Sequence, residues 1–179
     1  AAAAEGVPVA DVVATCSGEG DGLGAPWMVA RRVAGETIPR RILRDDEYAA
    51  ARDALAAQCG SALAAIHRVD PASVTGLHEL EQVGQFRDLV DALGQPHPAF
   101  ELGFRWLEAN RPPSTGRSVV HGDFRNGNLI VGPEGLRAVL DWELAHLGDP
   151  LEDLGWLCVR ALRFGGDGPV GGIGGREDL

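Results

Sequence analysis

The most telling absence in this chain of 179 residues is lysine: all 16 basic side chains are arginine. Any mechanism that needs a lysine must take it from outside this sequence. Positive charge is scarce altogether, since 26 acids leave a formal net charge of −10. That balance disfavours nucleic acid and anionic membranes as partners, because both repel a polyanion. No run approaches the roughly 20 apolar residues that span a bilayer. Ala1 to Val9 lacks the basic start and long apolar stretch of a signal peptide. The cysteines are only three (Cys16, Cys59, Cys158), far apart and odd in number, which argues against metal-ligand spacing. They read as small buried hydrophobes in a reducing, cytoplasmic setting.

A hydrophobic fraction of 45% is enough for one good core, split at most into two unequal lobes. Val9 to Cys16 and Trp27 to Val33 read as strands of a hairpin joined by the turn cluster Ser17 to Gly24. Gly35 breaks the pattern, and a short charged stretch leads to Asp45 and Asp46. A helix is expected from about Glu47 to Arg68, with Ala51, Leu55, Cys59, Ala62 and Ile66 on one face. Two more are expected near Glu81 to Leu93 and from Ala99 to Asn110. The period then shortens: Ser118 to His121, Asn128 to Val131 and Leu136 to Asp141 read as small strands. A last helix spans Leu151 to Arg163, with Asp149 as its cap, Pro150 in the first position and Glu152 where a capping acid belongs. Gly165 to Gly175 reads as a mobile connector, and Arg176 to Leu179 as the first turn of another helix. The pattern describes an α+β domain, not a doubly wound sheet.

Chemistry concentrates between Val119 and Val131, where His121-Gly122-Asp123-Phe124-Arg125-Asn126-Gly127-Asn128 sets an acid, a cation and an amide between two strands. Asp141 ends the strand that pairs with the one beginning at Asn128, so the two should lie close. Phosphoryl transfer needs such a set: a carboxylate that orients a hydroxyl and accepts its proton, oxygen ligands for magnesium, and a cation against the moving charge. Asp123 suits the first role, Asn128 and Asp141 the second, and Arg125 the third. Magnesium commonly takes one or two protein oxygens beside phosphate and water, so two ligands suffice.

These residues carry a family likeness. HGDFRNGN followed by LDWE resembles the catalytic and metal-binding motifs of the aminoglycoside phosphotransferase and choline kinase group, relatives of protein kinases. The resemblance implies a kinase-like fold, ATP and Mg2+ as cofactors, and a small-molecule hydroxyl as acceptor. By the same likeness Asp123 is the base, Asn128 and Asp141 bind the metal, and His121 shapes the loop. Gly148-Asp149-Pro150 with Asp153 resembles the family's following helix, where an acid braces that loop; Asp149 caps and Asp153 braces. Pro26 to Glu36 looks like the last small-lobe strand and the hinge. That makes the Arg31 carbonyl and Val33 N–H the candidates for adenine. Residues 1–34 are then the end of the small lobe and 35–179 the large catalytic lobe. The family's glycine-rich loop, phosphate lysine and final helices have no counterpart here, so the chain is expected to be a fragment, inactive by itself.

Blander roles are expected elsewhere. Glu143 is either an acceptor-binding acid or a solvated one. His67 and His146 read as packing or surface residues, His78 and His97 as loop residues, and Trp106, Trp142 and Trp156 as core aromatics. Gly20 to Ala25 matches a loose dinucleotide fingerprint, rejected because a strand and not a helix follows it. Two competing functions remain: a non-catalytic nucleotide-binding or scaffold domain, and a metal-dependent phosphoesterase using His121 and Asp123.

Overall fold

The computed structural model describes residues 1–17 and 24–179. Most of the Ser17 to Gly24 turn cluster, and of the rejected fingerprint, lies outside the described residues. Strands β1 (Val12–Cys16) and β2 (Trp27–Ala30) pair antiparallel, with Cys16 opposite Trp27. β1 begins three residues later than the run from Val9 suggests, because its approach is held elsewhere. Val7 is buried in the main core, and the Pro8 carbonyl accepts the Val139 N–H at 2.8 Å.

Beyond Gly35 the chain crosses the second sheet. Glu36 bridges to Val131, and at Gly35 (φ +152) a Cβ would sit 2.8 Å from the Val131 carbonyl oxygen. Helix α1 (Pro39–Arg44) follows, a six-residue element that the charged sequence concealed. Pro39 starts it, and Ile42 alone is buried, so it has no hydrophobic period to read.

Helix α2 (Ala49–His67) is the spine of the molecule. Its many alanines favour helix intrinsically, and Ala51, Leu55, Cys59, Ala62 and Ile66 are buried along one face. Each fully buried Leu or Ile there contributes about 1.5–3 kcal/mol. This face lies against two small sheets. In one, β3 (Ser118–Val120) pairs with β6 (His146–Gly148); in the other, β4 (Leu129–Gly132) pairs with β5 (Gly135–Val139). β6 has three residues, too few to announce a strand in sequence.

Helices α3 (Gln82–Ala92) and α4 (Pro98–Ala109) behave differently: every residue in them is at least partly exposed. Arg87 ties them together, its guanidinium 5.2 Å from the Phe104 ring centroid and 3.1 Å from Glu101. Trp106, expected in the core, is 62% exposed on this pair. Helix α5 (Leu151–Leu157) stops short of Arg163, because Val159 is extended (φ −60, ψ 130) and Arg160–Arg163 form a separate 3-10 turn.

The glycine-rich stretch is packed rather than a mobile connector. Val170 is fully buried, and the Gly171 N–H donates to the Leu157 carbonyl at 2.9 Å. Of the cysteines, Cys59 alone is fully buried, its thiol pushed up to about 12 by burial; Cys16 and Cys158 are half-buried.

Candidate functional site

The loop between β3 and β4 is fixed from below by buried polar groups. Val119 and Val120 anchor β3 in the core and deliver His121, itself fully buried, to the loop's start. The His121 Nε2–H faces the Leu140 carbonyl at 2.9 Å, while Nδ1 accepts the Asp123 N–H at 3.2 Å. One donor and one acceptor are what a neutral imidazole offers. Burial pulls its pKa below the ordinary value, and the charge of Asp153 opposes that shift without overcoming it. The ring also packs edge-on against Phe124 and tilted against Trp142, with centroids 5.7 and 4.7 Å away.

Asp153 is fully buried on α5 and reaches under the same loop. Its carboxylate accepts the His121 N–H at 2.9 Å, the Gly122 N–H at 3.0 Å and His67 Nε2 at 3.0 Å. A buried charge is tolerated when it is paired and hydrogen-bonded, and here each donor is a fixed group. Gly122 adopts φ +81, and a Cβ on it would meet the Leu144 carbonyl oxygen at 2.5 Å. Glycine alone fits both demands.

Asp123 stands above this base and gathers three donors. Arg125 Nε lies 3.1 Å from both carboxylate oxygens, Asn128 Nδ2 is 2.7 Å from Oδ2, and Trp156 Nε1 is 2.7 Å from Oδ1. Asn128 also donates to the Asp123 carbonyl at 3.0 Å. Both amide contacts thus go to Asp123, leaving the Asn128 side-chain oxygen as the group free to meet a cation. The Leu140 N–H donates to the Asn128 carbonyl at 2.8 Å, which sets Asp141 one residue past Asn128's partner. Asp141 is exposed and left-handed (φ 63), a conformation that Asp tolerates better than most residues. It lies two residues past the end of β5, which stops at Val139 and not at Asp141 as expected. Among the described residues nothing donates a hydrogen bond to its carboxylate.

The other candidates lie further out. Asp149 accepts the Leu151 N–H at 3.0 Å and two bonds from Thr115, at 3.0 and 2.8 Å. Burial raises its pKa, but these donors outweigh burial and hold the carboxyl below its ordinary value. Arg31 and Val33 follow β2 in chain without regular secondary structure, where the Arg31 N–H donates to the Asp11 carbonyl at 2.8 Å. Among the described residues no hydrogen bond joins either to the loop.

Three side chains with bland sequence readings enter the site's network. Trp156 is no core aromatic: it is 39% exposed and bonds Asp123. His67 pairs with Asp153. His146 is buried between the Leu144 carbonyl at 2.8 Å and Glu152 at 3.1 Å. Their partners are 86 residues away for His67 and 33 for Trp156, so no local motif signals them. Beside the loop opens a cavity of about 710 Å³, walled by Phe86, Leu89, Leu144, Gly122 and Trp156, with Glu143 exposed at its edge.

Residues 1–177 match the model of the phosphotransferase enzyme family. The mouse (Mus musculus) protein named acyl-CoA dehydrogenase family member 10 is 32% identical over 169 residues, 86% of this chain but 15% of its own length. A solved putative aminoglycoside phosphotransferase of Ralstonia eutropha is 26% identical with a TM-score of 0.66, over 86% of this chain and 50% of that one. The GDP complex of aminoglycoside 2'-phosphotransferase-IIIa shares the fold with a TM-score of 0.63 at 19% identity, over 84% of this chain and 55% of that one. The chain thus spans a small part of the mouse relative and about half of the two solved chains. Its architecture is the α+β, kinase-like fold of these phosphotransferases.

Proposed function

Since the chain belongs to the phosphotransferase enzyme family, we propose that it carries the catalytic loop of an ATP-dependent kinase acting on a hydroxyl of a small molecule. The observation that carries this reading is the Asp123 carboxylate, held by Arg125 and Asn128 on a loop pinned beneath by Asp153. Asp123 would orient the acceptor hydroxyl and take its proton as the oxygen attacks the γ-phosphorus. Arg125 holds that carboxylate through Nε, which leaves its terminal nitrogens to meet phosphate oxygens. Magnesium would be held by the Asn128 side-chain oxygen and the Asp141 carboxylate, both hard oxygen donors, and would offset charge on the phosphates. The Arg31 carbonyl and Val33 N–H would bind adenine, in line with a small lobe ending at residue 34 and a large catalytic lobe over 35–179. Related structures bound to GDP and ADP support nucleotide use, so GTP belongs in the assay beside ATP. The acceptor would enter the cavity beside Gly122 and Trp156. No described helix is long and apolar enough to cross a membrane, and we place the protein in the cytoplasm.

The full-length gene product, supplied with nucleotide, magnesium and a panel of hydroxylated metabolites, should form a phosphomonoester. Asp123→Ala should lower turnover on the order of 10²–10⁴-fold, far beyond any loss of folded protein, which a melting curve checks because the change orphans the donors on that carboxylate. Undiminished turnover in that variant removes Asp123 as the base. The competing reading is a non-catalytic nucleotide-binding or scaffold domain, favoured by the absence of lysine. It predicts calorimetric nucleotide binding with no product. A phosphoesterase using His121 is opposed by that ring's complete burial.

A further inference from the structure

The donors on Asp123 come from two places. Arg125 and Asn128 belong to its own loop, whereas Trp156 reaches it from α5, one helical turn beyond Asp153. Residues three apart on a helix lie on the same face. One face of α5 therefore grips the loop twice: Asp153 holds its backbone at His121 and Gly122, and Trp156 holds the carboxylate two residues on. The indole is unlike the other two donors in a second respect. Its Nε1 lies 2.7 Å from Asp123 Oδ1, yet the residue is 39% exposed and walls the 710 Å³ cavity. The same ring touches both the space an acceptor would occupy and the atom that would receive the acceptor's proton.

We propose that Trp156 is a positioning residue for phosphoryl transfer, setting the rotamer of Asp123 toward the cavity through its indole N–H. This rests on the reading of Asp123 as the base. An acceptor in the cavity donates its O–H to Asp123 Oδ1. Its oxygen then forms the bond to the γ-phosphorus as the bond to the β–γ bridging oxygen breaks. The proton passes to Asp123, and the electron pair leaves with the nucleoside diphosphate. The indole N–H keeps Oδ1 directed at that path, while Asn128 holds Oδ2 and Arg125 Nε straddles both oxygens. Without it Oδ1 retains only the shared Arg125 Nε and loses the donor supplied by a residue that walls the cavity.

Two variants separate the N–H from the ring. Trp156→Phe keeps an aromatic wall and removes the donor; Trp156→Gln removes the wall and keeps an N–H at comparable reach. Both should fold, since the side chain is exposed, and equal melting temperatures check this. Nucleotide hydrolysis to water by the full-length gene product, with ATP and magnesium, gives a rate that needs no identified acceptor. Trp156→Phe should lose about tenfold or more in kcat with KM for ATP unchanged, within the 10²-fold that a misplacement of about 1 Å can cost. Trp156→Gln should recover a substantial part of that loss. If Phe performs as well as Gln, or as well as Trp, the ring is only a wall and the proposal fails. A second measurement stands apart from turnover. The indole N–H resonance that vanishes in Trp156→Phe should shift toward the free-indole position in Asp123→Ala. A resonance indifferent to Asp123→Ala overturns the contact itself. Absence of nucleotide turnover in the unmodified protein would instead count against the kinase reading, and the resonance would still decide the contact.

Discussion

Residues 118–157 and the α3–α4 pair (82–109) have their polar and apolar groups in opposite places. In the first region the buried side chains include His121, Asn126, Asn128, His146 and Asp153. In the second, Phe86, Leu89, Phe100, Leu102, Trp106 and Leu107 are each more than 40% exposed, while Arg87 and Glu101 hold the helices together. The first arrangement sacrifices easy burial to fix a loop: His121, Asn128, His146 and Asp153 are matched by hydrogen bonds. The Asn126 amide and the Ser118 hydroxyl are instead buried without a partner among the described residues, a cost the loop carries. The second relies on little beyond exposed ion pairs and one cation–π contact. Rigidity should therefore reside around the candidate loop, and tolerance in α3–α4.

The contrast can be broken most directly at Asp153. Asp153→Ala orphans two backbone donors and the His67 partner, and should cost about 3–5 kcal/mol in urea denaturation. A loss under about 1 kcal/mol would mean the loop is not held from below. His121 sharpens the comparison through pH. Its folded pKa lies below the ordinary 6.5, so the unfolded chain binds more protons between those two values. Stability should fall as pH drops through that window, and His121→Asn should flatten the slope in melting-temperature scans. The smallest effect belongs to the other region. Trp106→Ser should stay within about 0.5 kcal/mol of the parent, as surface changes generally do; a loss above about 1 kcal/mol would show that α4 is covered in solution.

What could be read in advance follows the same division. The candidate loop was legible because its residues are contiguous: Asp123, Arg125 and Asn128 lie within six positions, and β4–β5 pairing extends to Leu140 opposite Asn128, one residue short of Asp141. The α2 spine was legible because its alanines favour helix and Leu55, Cys59, Ala62 and Ile66 recur at helical spacing. The His67–Asp153 and Trp156–Asp123 contacts were hidden, since side chains distant in sequence meet only after the sheets and α5 are placed. Periodicity in α3 and α4 named an apolar face but not its partner, and so it misjudged Trp106. Composition misled most at the glycine-rich end, where small residues suggested freedom.

That end shows what close backbone packing entails. A Cβ on Gly166 would fall 2.3 Å from the Gly172 oxygen, and one on Gly168 would fall 2.6 Å from the Gly174 nitrogen. The segment is keyed by its lack of side chains, so residues that resemble a spacer should behave in mutational scanning like a core. Epitope tags or protease sites inserted there, the natural choice for such a composition, would pull Val170 from its socket. Through the Gly171–Leu157 bond they would then disturb the end of the helix that carries Trp156.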